Sequence, residues 1–174
     1  MKIDDIIFID FEASGLSLHS WPIEAGLAWI VDRSVQSWST LIQPHDGWHQ
    51  EGWSEHSATV HGISRRMLDA APSACNVAHE LADRLRGKVV VSDDPEQDHS
   101  WAATLMACID GPVRQIADFD AAVGTFCGKD PAAVSAVYQS IEVIRAPHRA
   151  GPDAARLATA ILKGLEVATG RLPD

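Results

Sequence analysis

Residues 8–16 read FIDFEASGL. The run that enters them, Ile6-Ile7-Phe8-Ile9, is apolar on both alternating faces, the pattern of a central strand covered on both sides. Residues two apart on a strand point the same way, so Asp10 and Glu12 are expected side by side at the strand's end. Two neighbouring carboxylates repel and each loses hydration, so a positive charge is expected between them.

Outward from this stretch the pattern is α/β. Strands are expected near 4–11, 24–32 and 36–43, with Asp32-Arg33-Ser34 as a hairpin turn. A helix is expected at about 73–86, a short strand at about 88–92 and a helix from Pro95 to about Ile109. A strand near 113–117 and helices near 119–127, 130–139 and 152–168 complete the order. Three early strands followed by strand–helix alternation describe an α/β domain with a mixed sheet. The 174 residues suit one domain, 1–174, with no internal repeat or linker.

Composition narrows the function. Apolar residues make up 46% and charged residues 22%, the balance of a soluble globular chain. No apolar run is long enough to span a membrane, and MKIDDIIFID enters a strand directly instead of reading as a signal peptide. Cys75, Cys108 and Cys127 read as small buried hydrophobes in a reducing cytoplasm, and the lack of a CxxC spacing argues against zinc. The net charge of −10 argues against tight binding of long nucleic acid. It does not exclude an enzyme whose bound divalent cations meet phosphate.

Three further stretches bear on chemistry. Residues 44–66, PHDGWHQEGWSEHSATVHGISRR, are expected as a long irregular loop carrying Trp48, Trp53, His45, His49, His56 and His61. Its aromatics either fold back on the domain or form a wall that stacks a base. In VVVSDDPEQDHSWAATL, residues 89–105, Asp94-Pro95-Glu96-Gln97 has the capping-box pattern, which makes Asp94 structural. Asp98 lies one turn before Trp101 on the stripe that runs to Leu105 and Cys108. It either points at the sheet or is first-turn charge favoured by the helix dipole. In APHRAGPDAARLATA, residues 146–160, Asp153 heads the stripe Leu157, Ala160, Ile161 and Leu165. His148, on the preceding turn, could take a proton from water near neutral pH. Arg145 and Arg149 flank it, placed to touch phosphate or to sit in solvent.

Asp10, Glu12, Asp98 and Asp153 thus form a candidate cage for two Mg²⁺ or Mn²⁺ ions, since hard cations take oxygen ligands. A metal pair about 4 Å apart stabilises both the attacking and leaving oxygens of a phosphodiester.

DFEASGL, VVSDDPEQD and HRAGPD, in this order, resemble the three motifs of the DEDDh 3′–5′ exonucleases. The resemblance spans roughly residues 4–165, and HGIS at 61–64 is similar to that family's HGI segment. It implies a ribonuclease H-like fold, a five-stranded mixed sheet flanked by helices. It implies that Asp10, Glu12, Asp98 and Asp153 hold two metals, with Asp10 bridging, and that His148 is the general base. The products would be nucleoside 5′-monophosphates cut from the 3′ end of single-stranded or short RNA or DNA. Backbone from Ala13 through Ser14 and Gly15 to Leu16, together with His61, would meet the substrate. Relatives of this kind are often dimers, and exposed tryptophans would suit that interface. The second motif departs from the family's HNAxFD, leaving Asp93 and Asp94 as alternative ligands, although the stripe favours Asp98. Two other functions remain open: a catalytically silent exonuclease-like binding module, and a small-molecule phosphodiesterase.

Overall fold

The computed structural model describes residues 2–144 and 148–170. Its sheet contains β1 (Ile6–Ala13), β2 (Pro22–Val31), β3 (Ser34–Leu41), β4 (Val89–Ser92) and β5 (Ile116–Asp118). Their order is β3-β2-β1-β4-β5. The first three strands are antiparallel neighbours, whereas β4 is parallel to both β1 and β5, so the sheet is mixed. The β2–β3 hairpin turns on Asp32 and Arg33, both with positive φ, the two-residue geometry that matches strand twist.

β1 is central and covered on both faces. Ile7, Ile9, Phe11 and Ala13 enter one core with α3 (Ala74–Arg84) and α4 (Pro95–Met106). Ile6 and Phe8 enter the opposite core with α5 (Phe119–Phe126), α6 (Pro131–Val143) and α7 (Ala150–Ala168). The period of two continues this second row into Asp10 and Glu12, where apolar packing gives way to charge.

The 44–66 stretch is not structureless. It folds as a short 3₁₀ turn, Gln50–Gly52, followed by α1 (Glu55–His61), with α2 (Arg65–Leu68) starting at its end. Ser54 caps α1, accepting from the Ser57 N–H at 3.2 Å, and Gly62 stops it in the left-handed conformation. EHSATVH carries no apolar stripe, which is why periodicity missed this helix. The tryptophans fold back on the domain: Trp48 and Trp53 lie 5.8 and 6.0 Å from the buried Trp21 ring, centroid to centroid. They are half-buried in this cluster, not the exposed interface aromatics expected from sequence.

α7 reaches the Asp10 end of the sheet because β2 is bare there. Gly26 pairs with Asp10, and a Cβ on Gly26 would stand 2.0 Å from the Ala150 carbonyl carbon. On β3, Ser39 partners Gly26, and a Cβ on Gly151 would meet its side chain at 2.8 Å. Gly26→Ala is expected to lift the start of α7 off the sheet and cost about 1–3 kcal/mol, as overpacking does. A melting temperature equal to wild type would refute this close approach.

Candidate active site

Asp98 and Asp153 enter the site in the same way. Each lies four residues past a helix cap, Asp94 for α4 and Arg149 for α7, on the first turn beyond it. Both helix N-termini therefore face the end of β1, where their partial positive charge favours anions. Asp94 is the N-cap expected from sequence, accepting from the Gln97 N–H at 3.4 Å. Asp93 is exposed and pairs with Arg156 at 3.3 Å, while Asp98 is buried at 3% exposure.

Asp10, Glu12 and Asp153 each offer a carboxylate oxygen within 4.8 Å of the others. Asp98 stands outside this close set, its carboxylate taking a hydrogen bond from the Ser92 hydroxyl. It still acts on the cluster. Burial pushes Asp10 up to about 10, and the Asp98 charge is the largest of the neighbouring carboxylates that add to it, followed by Glu12 and Asp153. Burial, then Asp153 and Glu24, raises Glu12 to about 7. Burial also raises Asp98 to about 7, against the opposing Ser92 hydrogen bond. Asp153 is raised as well, again chiefly by burial. One oxygen of Asp153, Oδ2, accepts from the Arg149 backbone N–H at 3.0 Å, while buried Oδ1 makes no hydrogen bond among the described residues and has the Arg156 Nε 3.8 Å away. Four converging hard-oxygen carboxyls, all raised and with the Arg156 Nε 3.8 Å from Asp153 Oδ1 as their one salt bridge among the described residues, fit a divalent cation, which supplies the missing charge.

Glu24 joins the site without a motif to mark it. It faces Glu12 across the β1–β2 pair and is 2% exposed. Arg149 grips it with two bonds, Nε to Oε2 at 2.9 Å and a terminal nitrogen to Oε1 at 2.7 Å. The Ala150 N–H adds a third bond at 3.0 Å. Arg149 is therefore tied to a buried acid, not placed in solvent or on phosphate as expected. The clamp fixes the start of α7 and with it the residues on either side, His148 and Asp153. The available signal was a single acid inside the otherwise apolar strand PIEAGLAWI. Arg145 lies outside the described residues.

Beside Glu12 opens a cavity of about 240 Å³. Ala13, Gly15 and Leu16 line one side, α1 supplies His56, Val60 and His61, and Trp101 and His148 complete it. His148 is exposed with φ 53°, on the turn that leads into α7. His61 accepts from the Ile63 N–H through Nδ1 at 3.0 Å, which places its hydrogen on Nε2. Among the described residues that buried Nε2 makes no well-formed hydrogen bond, although the Ala13 backbone lies close enough to favour its proton; burial outweighs this and lowers the ring's pKa, so His61 stays a neutral donor. Ser14 departs from the substrate-binding expectation. It is fully buried, its hydroxyl donating to the Gly52 carbonyl and accepting from the Trp21 N–H, both at 3.0 Å. Its backbone N–H and carbonyl are also taken, by Trp21 and Ser54. Ser14 holds the loop; Gly15 and Leu16 face the cavity.

No curated protein sequence matches the chain. Solved structures match it closely in shape at low identity. The nuclease domain of 3′hExo, a DEDDh family member bound to rAMP, superposes with a TM-score of 0.67 at 16% identity, covering 98% of this chain and 96% of that one. E. coli exonuclease I in complex with a dA16 oligonucleotide gives 0.66 at 12%, covering 95% of this chain and 43% of that longer one. Exonuclease X in complex with 5′ overhanging duplex DNA gives 0.57 at 16%, with coverages of 95% and 93%. These likenesses establish the exonuclease fold. Residues 7–161 match the family model described as exonuclease, of the RNase T type, so the chain belongs to that exonuclease family.

Proposed function

We propose that the protein is a metal-dependent DEDDh-type 3′–5′ exonuclease that releases nucleoside 5′-monophosphates from single-stranded or short nucleic acid. The observation that carries this reading is the convergence of Asp10, Glu12 and Asp153 within 4.8 Å, beside buried Asp98 and at the wall of the cavity that His148 also lines.

Asp10, Glu12, Asp98 and Asp153 would hold two divalent cations, Mg²⁺ or Mn²⁺. When bound, these ions supply the charge stabilisation that phosphodiester cleavage needs. The protein supplies the rest. His148 takes the proton of the attacking water, from an exposed turn anchored on the Glu24–Arg149 clamp. His61 offers its Nε2–H to the terminal nucleotide, since a buried donor with no well-formed hydrogen bond among the described residues gains from a ligand acceptor. The exposed apolar side chain of Leu16 stands at the cavity mouth, suited to lie against a base. The cavity is smaller than the roughly 300–1,000 Å³ of drug-sized sites, in keeping with one terminal nucleotide. The net charge of −10 favours short substrates over long polyanions.

The test uses 5′-labelled single-stranded RNA and DNA oligonucleotides with Mg²⁺, Mn²⁺ or EDTA. A ladder shortening from the 3′ end in metal, and intact in EDTA, is the expected result. An uncut oligonucleotide in both metals would reject the reading. His148→Ala is expected to slow turnover by ~10²–10⁴ while leaving Mn²⁺ binding by calorimetry nearly intact. Unchanged turnover would remove His148 from the mechanism. A catalytically silent binding module is the second reading, favoured by Asp98 standing outside the close carboxylate set. Oligonucleotide binding without saturable Mn²⁺ uptake or cleavage would select it.

A further inference from the structure

On the α3–α4 side of the sheet the fold assembles a second group of metal-ligating side chains with different chemistry. His45 lies on the segment after β3, Cys75 in the first turn of α3, and Cys108 in the 3₁₀ turn Ala107–Ile109 that follows α4. One ring nitrogen and the two sulfurs all lie within 4.8 Å of one another. Backbone bonds hold these pieces in place. The Gln43 N–H donates to the Pro72 carbonyl at 2.9 Å, and the Ala74 N–H to the Gln43 carbonyl at 3.1 Å. The Cys75 thiol reaches the Cys108 carbonyl at 3.4 Å. Both cysteines are half-buried and His45 is exposed, so the group opens to solvent on one side.

We propose that His45, Cys75 and Cys108 form a binding site for a thiophilic divalent cation, Zn²⁺ foremost, with the fourth position open to water. Two thiolates and an imidazole are the ligands such an ion prefers, and hard Mg²⁺ is a poor match for them. Two sulfurs about 2.3 Å from a tetrahedral ion stand about 3.8 Å apart, so the present spacing needs a closure of an ångström or less. Binding releases the two thiol protons to solvent. It also takes a nitrogen of His45, whose Nδ1 now accepts from the Gly47 N–H at 3.0 Å. That exchange is inexpensive because the ring and Gly47 are both exposed and water can replace the bond. The ion would fasten the segment after β3 to α3 and to the end of α4. Cys108 lies ten residues past Asp98, roughly 15 Å along the helix direction, so this site is separate from the carboxylates.

The full chain, reduced, stripped of metal and with its three thiols counted as free, is titrated with Co²⁺. One equivalent is expected to give the thiolate-to-cobalt charge-transfer absorption, and Zn²⁺ is expected to bleach it. Oxygen ligands give no such band, so Co²⁺ at the carboxylates is silent in this readout. Cys75→Ser and Cys108→Ser are each expected to abolish the band. His45→Ala, at an exposed position that does not threaten folding, is expected to weaken Co²⁺ binding at least tenfold and leave oligonucleotide cleavage unchanged. No band with all thiols reduced would overturn the proposal, as would a band that survives both cysteine substitutions. Neither outcome depends on whether the chain cleaves nucleic acid.

Discussion

Asp10→Asn is expected to abolish cleavage and at the same time raise the melting temperature of the metal-free protein. The two effects share one cause. Burial and the carboxylates of Asp98, Glu12 and Asp153 push the Asp10 carboxyl up to about 10. A carboxyl whose folded value lies above its unfolded one keeps a proton in the native state that the unfolded chain has lost. Its contribution to stability is therefore present at low pH and declines as pH rises from about 4 toward 10. Glu12 and Asp98, both raised to about 7, act in the same direction over the lower part of that range. The metal-free wild type is thus expected to melt lower at pH 9 than at pH 5, and Mn²⁺ is expected to reverse the loss by binding the ionised cluster. Asn keeps the shape and removes the charge. A gain of even ~1 kcal/mol would raise Tm by about 2–4 °C in a domain of this size. Without a metal clamp the reaction loses several kcal/mol of charge stabilisation, so kcat is expected to fall roughly 10⁴-fold or more. An Asp10→Asn protein that melts below wild type without metal, or that still cleaves, would contradict the assignment of this cluster.

Arg149→Met carries the second large effect, and it falls on stability first. The substitution leaves Glu24 buried at 2% exposure, with the Ala150 N–H as its remaining side-chain partner among the described residues and Glu12 opposite it across the strands. The Arg149 side chain keeps 38% of its surface in solvent, so its loss costs less than the about 3–5 kcal/mol of a fully buried pair, roughly 2 kcal/mol, because the remaining Glu24 charge has little water and no counter-ion. At ~2–4 °C per kcal/mol this is a fall in Tm of about 4–8 °C. Adding Glu24→Gln on top of Arg149→Met should restore much of the stability, since no unpaired charge remains. Activity is not expected to return with it. The Arg149 grip holds the turn that carries His148, and the neutral pair makes no such grip. A single variant as stable as wild type would show that the pair does not organise the start of α7. A double variant with full turnover would show that positioning of His148 does not depend on it.

The order of strands and helices, and the acids that gather at the end of β1, are written largely in local sequence. β1 announces itself because a strand buried on both faces must be apolar at every position until its end. Asp98 and Asp153 are partly legible for a related reason: each stands one turn ahead of a core stripe, which for Asp98 leaves first-turn dipole charge equally open, and the structure buries both. The Asp94 cap and the Asp32-Arg33 turn follow from neighbours within four residues. α1 was missed because its seven residues carry no stripe, and its caps alone do not distinguish a helix from a loop.

What the tertiary structure alone decided are the relations between residues far apart in sequence. Glu24 and Arg149 are separated by 125 positions, and nothing local says that one clamps the other. Gly26 is bare because α7 lands on it, a requirement set by Ala150 and invisible from β2 itself. Ser14 turned from an expected substrate contact into a buried strut because Gly52 and Trp21 come to meet it. His45, Cys75 and Cys108 have no spacing that reads as a metal site, yet three separate elements carry them together. Periodicity reports which face of an element is buried, because burial repeats with the element's own pitch. It does not report which partner lies there, because that depends on how the elements pack in three dimensions.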